Sequence, residues 1–149
     1  MSILSVLDGP AVELLYCSPG DELMDVVRDM VENGVNAIAV LDGEDDLIGI
    51  LTEYDIMQAL SFNRGDLKGV EVHEWMTANV ITCDIDTSLN SALSLMGKHG
   101  IRHLVITDCE VAVAILGIRQ VLADIHARDE LEIKVLRDIA VAARASLAA

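Results

Sequence analysis

The chain has 149 residues, enough for one ordinary domain or for two small repeats that share a core. Hydrophobic residues make up 52% of it and aromatics only 3%, so the core must be aliphatic and offers few stacking surfaces. Ten basic against 25 acidic residues give a formal charge of -15, a field that repels nucleic-acid backbones and anionic membranes and argues against both as partners.

Residues 1–15 carry no Lys or Arg, the first being Arg28, which does not fit a secretory signal. The longest apolar stretch, residues 111–118, falls far short of the roughly 20 residues that a membrane helix needs. Cys17, Cys83 and Cys109 are odd in number and lack a metal-type spacing, so reduced core thiols in a cytoplasm are expected.

Sliding the chain against itself by 66 residues aligns Cys17 with Cys83, Leu23 with Leu89, Met30 with Met96, Gly34 with Gly100 and Asp42 with Asp108. After a one-residue deletion, an offset of 65 brings Ile50 and Leu51 onto Ile115 and Leu116. This is an internal repeat, and both copies read alike. A short strand (14–17 or 80–83) leads to a polar break where Asp21, or Thr87 and Ser88, can cap a helix. The helix, over 22–33 or 88–99, carries apolar residues at helical spacing, such as Leu23, Val26, Val27 and Met30. Gly34 and Gly100 suit a left-handed stop, after which 36–41 and 102–106 read as buried strands. A turn (42–46 in the first copy), a third strand (47–51 or 111–116) and a second helix (53–61 or 118–126) complete each copy.

The order strand, helix, strand, strand, helix thus occurs twice, with a linker over 62–77. One copy alone is too small to cover both faces of its sheet, so the two should pack together with a cleft between them. The expected partition is 1–67 for the N-terminal segment and first repeat, 68–127 for the linker end and second repeat, and 128–149 for an added amphipathic helix. That helix has Leu131, Val135, Ile139 and Ala143 at four-residue intervals, and either covers the module's own core or serves a dimer contact.

Three stretches carry a family likeness. The linker ends His73-Glu74-Trp75-Met76-Thr77, a strand reads Gly100-Ile101-Arg102-His103-Leu104-Val105-Ile106, and the third strand of the first repeat runs into its helix as Gly49-Ile50-Leu51-Thr52-Glu53-Tyr54-Asp55. With the repeat order, these resemble the tandem pair of CBS (cystathionine-beta-synthase-type) domains over residues 10–127. The resemblance implies an α/β fold of two β-α-β-β-α repeats in a pseudo-twofold pair, usually homodimeric. It implies a regulatory role without catalysis or a required metal, binding of AMP, ADP, ATP or S-adenosylmethionine, and a regulated partner protein.

By the same resemblance, the Thr and Asp of T-x-x-D contact phosphate or ribose, while the first and second strands of the other repeat frame adenine and reach phosphate. Carried onto this chain, the site comprises Thr52 and Asp55 facing Val80, Ile81, Thr82, Arg102 and His103. T-x-x-D at a strand-to-helix junction is also a capping arrangement, and an Arg on a strand is also a surface ion-pair partner. A ligand-free interaction module is therefore the rival reading. In the second repeat Gly49, Thr52 and Asp55 become Ala114, Gly117 and Gln120. The complementary pocket, Gly117 and Gln120 with Leu14, Leu15, Asn36 and Ala37, is expected to hold neither cation nor carboxylate. No P-loop, G-x-S-x-G elbow, H-E-x-x-H or paired CxxC occurs, and the run Asp42, Glu44, Asp45 and Asp46 lacks EF-hand order.

Overall fold

A computed structural model describes residues 2–7 and 14–148; Ala149, the last residue of the expected C-terminal helix, lies outside them. In each repeat the helix and the strand after it are joined by the same stop. Helix α1 (Leu23–Asn33) and helix α3 (Leu89–His99) end on Gly34 and Gly100, with φ of 64° and 63°. The N–H groups of Val35 and Ile101 then reach back 3.0 Å to the carbonyls of Met30 and Met96. Only glycine takes this left-handed turn without Cβ strain, and it aims the chain back under the helix as a strand.

In the first repeat β1 (Tyr16–Cys17) pairs in parallel with β2 (Ala37–Leu41), which pairs antiparallel with β3 (Leu47–Thr52) before helix α2 (Glu53–Phe62). The second repeat builds the same sheet from β4 (Thr82–Asp84), β5 (His103–Asp108) and β6 (Val111–Gly117). Side-chain alternation explains the layers. Ile38 and Val40 face Leu23, Val26 and Met30 of α1, and their repeat mates Leu104 and Ile106 face Leu89, Ala92 and Met96 of α3. Off-phase residues Ala37, Ile50 and Val105 form a third cluster between the sheets. All five residues of β2 are buried because both its faces are covered.

The connecting segments are exchanged. The linker's 3-10 turn (Val72–Glu74) docks on the first repeat, with fully buried Val72 in its core and Val72 N–H donating to Asp21 C=O at 3.0 Å. The N-terminal turn (Ile3–Ser5) docks on the second repeat in the equivalent way: fully buried Ile3 enters its core and donates to Thr87 C=O at 2.9 Å. Each repeat is therefore completed by a segment that the 67/68 division gives to the other.

Two local expectations change. Asp21 does not cap α1; its carboxylate accepts the Ser18 N–H at 2.9 Å, closing the preceding turn instead, whereas Ser88 does cap α3 through the Ser91 N–H. The last helix is a single element, α4 (Ile118–Ala148), of 31 residues with no break after His126. Its end does not cover the module's own core, for every described side chain from His126 to Leu147 is exposed.

Candidate functional site

Where the two repeats face each other, two cavities open, of about 430 and 420 Å³. The larger takes Ile50, Thr52, Glu53, Tyr54 and Asp55 from the first repeat, Thr77 from the linker, and Gly100, Ile101, Arg102 and His103 from the second. The smaller takes the mates of nine of these by the 66- and 65-residue offsets, with Asn36 where the first has Arg102 and Gln120 where it has Asp55, and shares Glu53, Arg102 and His103 with the first. The cavities are pseudo-twofold mates.

Strand β3 and the first turn of α2 deliver Thr52 and Asp55 to the first cavity, and the linker locks them there. Thr77 pairs with Ile50 through two backbone bonds of 3.0 and 2.9 Å. Gly49 permits this approach, since a Cβ there would stand 2.6 Å from the Met76 sulfur and 3.3 Å from the Thr77 carbonyl oxygen. Thr52 caps α2 and Asp55 completes a capping box: one carboxylate oxygen accepts from Thr52 N–H at 2.9 Å and its hydroxyl at 3.1 Å. The other accepts from the Thr77 hydroxyl at 3.3 Å. Asp55, only 6% exposed, is the one buried charged side chain among the described residues.

Repeat two supplies the opposite wall. Arg102 precedes β5, its carbonyl accepting the Ile118 N–H at 2.8 Å, and its side chain is exposed. Among the described residues no carboxylate lies within ion-pair distance of it. His103 opens β5 opposite Gly117. Burial pushes its pKa below the ordinary 6.5; Glu53 opposes that shift and Arg102 adds to it.

A family model for the CBS domain matches residues 10–62 and again 71–126. The chain belongs to the CBS-domain family. This CBS pair is similar to a protein with CBS domains from Burkholderia ambifaria (26% identity, 85% of this chain and 95% of that one, TM-score 0.79). It has the same fold as a Pyrobaculum aerophilum CBS protein complexed with AMP (20%, 80% and 89%, TM-score 0.71). It shares that fold also with a CBS pair in complex with 5′-methylthioadenosine and S-adenosyl-L-methionine (22%, 83% and 98%, TM-score 0.72). The chain spans 20%, 66% and 55% of three curated relatives that it matches.

The CBS pair brings Thr52, Asp55, Arg102 and His103 to one cavity and leaves three expected residues out of its lining. Val80 packs in the cluster between the sheets, Ile81 packs against the second core, and Thr82 is exposed on β4. The complementary cavity is also not as expected. It is lined by Glu53, Arg102, Arg119 and His103, so it holds cations and a carboxylate, and Leu14 and Leu15 do not line it. Arg102 and His103 border both cavities because the strand start that carries them lies between the two. Alignment of the repeats missed this, since it assigns each residue to one pocket. Glu53, Tyr54 and Arg119 were also missed; they occupy the x positions within T-x-x-D and its counterpart on the first turns of α2 and α4, and that position inside the motif was the available signal.

Proposed function

We propose that this CBS pair is a regulatory module that takes one adenosine-containing ligand in its first cavity. The observation that carries the reading is the convergence of Asp55 and Thr52 from one repeat with Arg102 and His103 from the other. A carboxylate and hydroxyl suit a ribose diol, and an exposed guanidinium with an imidazole across the cavity suits phosphate or carboxylate. The volume falls within the roughly 300–1,000 Å³ typical of small-molecule sites. AMP, ADP, ATP and S-adenosylmethionine are the candidates, in keeping with the ligands held by two proteins of this fold. A ligand bridging the repeats favours one relative packing of them, and a regulated partner protein reads that packing. The module catalyses nothing itself, needs no metal, works in the cytoplasm and assembles as a homodimer.

One observation favours the rival, a ligand-free interaction module: the Asp55 carboxylate is already engaged in capping α2. Asp55→Asn separates the two, because an amide oxygen can keep the cap while the charge is lost. Calorimetric titration with the four ligands is expected to give micromolar binding at one site per chain. The variant should bind roughly ten- to over a hundredfold more weakly, about 1.5 to 3 kcal/mol, with little change in melting temperature. Silence from all four ligands with the unmodified chain would favour the ligand-free module.

A further inference from the structure

Past its contact with the N-terminal turn, where Arg128 reaches the Ser5 hydroxyl at 3.2 Å, helix α4 carries its side chains into solvent. Residues 126–147 form about 33 Å of helix at 1.5 Å per residue. Leu131 and Ile139 are 61% and 60% exposed, and Val135 between them is also open. These three share one face, which Ala142 and Ala143 extend and Leu136 broadens. Isolated helices draw little stability from propensity alone, so a continuous apolar face of this length calls for a partner.

Charge selects the partner. Segment 128–148 contains four basic and four acidic residues, so the -15 of the chain resides entirely in the remainder. That field disfavours an anionic membrane or nucleic acid as the occupant. Within the segment the charges are sorted: Arg128, Asp129, Glu130 and Glu132 leave the first part net negative, whereas Lys134, Arg137, Asp138 and Arg144 leave the second net positive. A parallel pair of such helices sets like charge on like. An antiparallel pair sets the net negative first part beside the net positive second part, and with Arg137 at its centre Leu131 meets Ala143 and Val135 meets Ile139. The alanines allow close approach.

We propose that the exposed end of α4 pairs antiparallel with the same segment of a second copy of this chain. This gives a surface to the self-association included in the proposed function and is independent of the ligand reading. Sedimentation equilibrium of the full chain should show a dimer that Val135→Glu/Ile139→Glu weakens at least about tenfold, as expected for central apolar contacts. Both positions are solvent-exposed, so circular dichroism of the folded repeats should be unchanged. Orientation is tested with Leu131→Cys and Ala143→Cys, each in a Cys109→Ser background. Oxidative cross-linking should be stronger in a mixture of the two than in either alone. A dimer untouched by the glutamates, or one cross-linked best between identical positions, overturns this pairing while leaving a homodimer by another face. A monomeric chain overturns both.

Discussion

Positions 55 and 120 meet the same backbone need with different chemistry. Gln120 Oε1 accepts the Gly117 N–H at 2.8 Å, just as the Asp55 carboxylate accepts the Thr52 N–H at 2.9 Å. Capping therefore needs an oxygen but no charge, and burying a charge costs free energy that an amide avoids. The carboxylate at 55 thus exceeds the local structural requirement, which is why its reading as a ligand group survives its role in the cap. His103 has a different consequence. Its pKa is lowered in the folded chain, by burial first and by Arg102, with Glu53 opposing. Below its unfolded value of 6.5 the unfolded chain takes up the proton more readily. The neutral imidazole's contribution is therefore fully present above that pH and is lost as pH falls toward the folded pKa. Urea unfolding at a series of pH values from neutral to mildly acid should show His103→Gln losing less stability on acidification than the unmodified chain. Equal slopes would mean that His103 titrates alike in both states.

Among the elements, the β5–β6 hairpin turns in two residues, Cys109 and Glu110, with Asp108 paired to Val111. Both turn residues have positive φ, 49° and 68°, where two-residue hairpins favour Asn-Gly. Cys109→Asn/Glu110→Gly is expected to raise stability by about 1 kcal/mol, measured by urea denaturation, because the backbone strain is relieved in place. No gain would mean that the turn relaxes without cost. Elements of this kind differ in how legible they are. The α1 and α3 cores and their glycine stops could be read directly, since helical periodicity and a left-handed turn are local properties. Asp21 as a cap could not, because a side chain with two possible N–H partners is decided by the path of the turn before it. The continuity of α4 was legible in principle: no Gly or Pro falls between 118 and 148. Analogy with α2, which ends at Phe62, placed a boundary where local chemistry placed none.

At the scale of the molecule, the repeats were visible in the sequence and their exchange was not. Residue identity reports kinship between copies, but which copy a flanking segment docks on depends on the path of the chain in space. The candidate site was read to the same depth. Thr52, Asp55, Arg102 and His103 came from the family resemblance, as did Val80, Ile81 and Thr82, whose side chains are taken up by the packing of the second repeat or lie exposed on β4. The exchange is expected to tie the repeats into one folding unit. Ile3, fully buried, belongs to the second core although it precedes the first repeat, and Val72 belongs to the first although it leads into the second. Ile3→Ala should cost about 2–5 kcal/mol, the usual range for emptying a buried aliphatic site. More tellingly, Trp75 packs against the first core, so its fluorescence reports the repeat that Ile3 does not touch. If the repeats unfold as one, the Trp75 transition in urea moves to lower denaturant in Ile3→Ala by as much as the far-UV dichroism does. A Trp75 transition that stays in place while the dichroism splits into two steps would make the repeats separate folding units, and ligand-biased packing between them would then have to work without shared cooperativity.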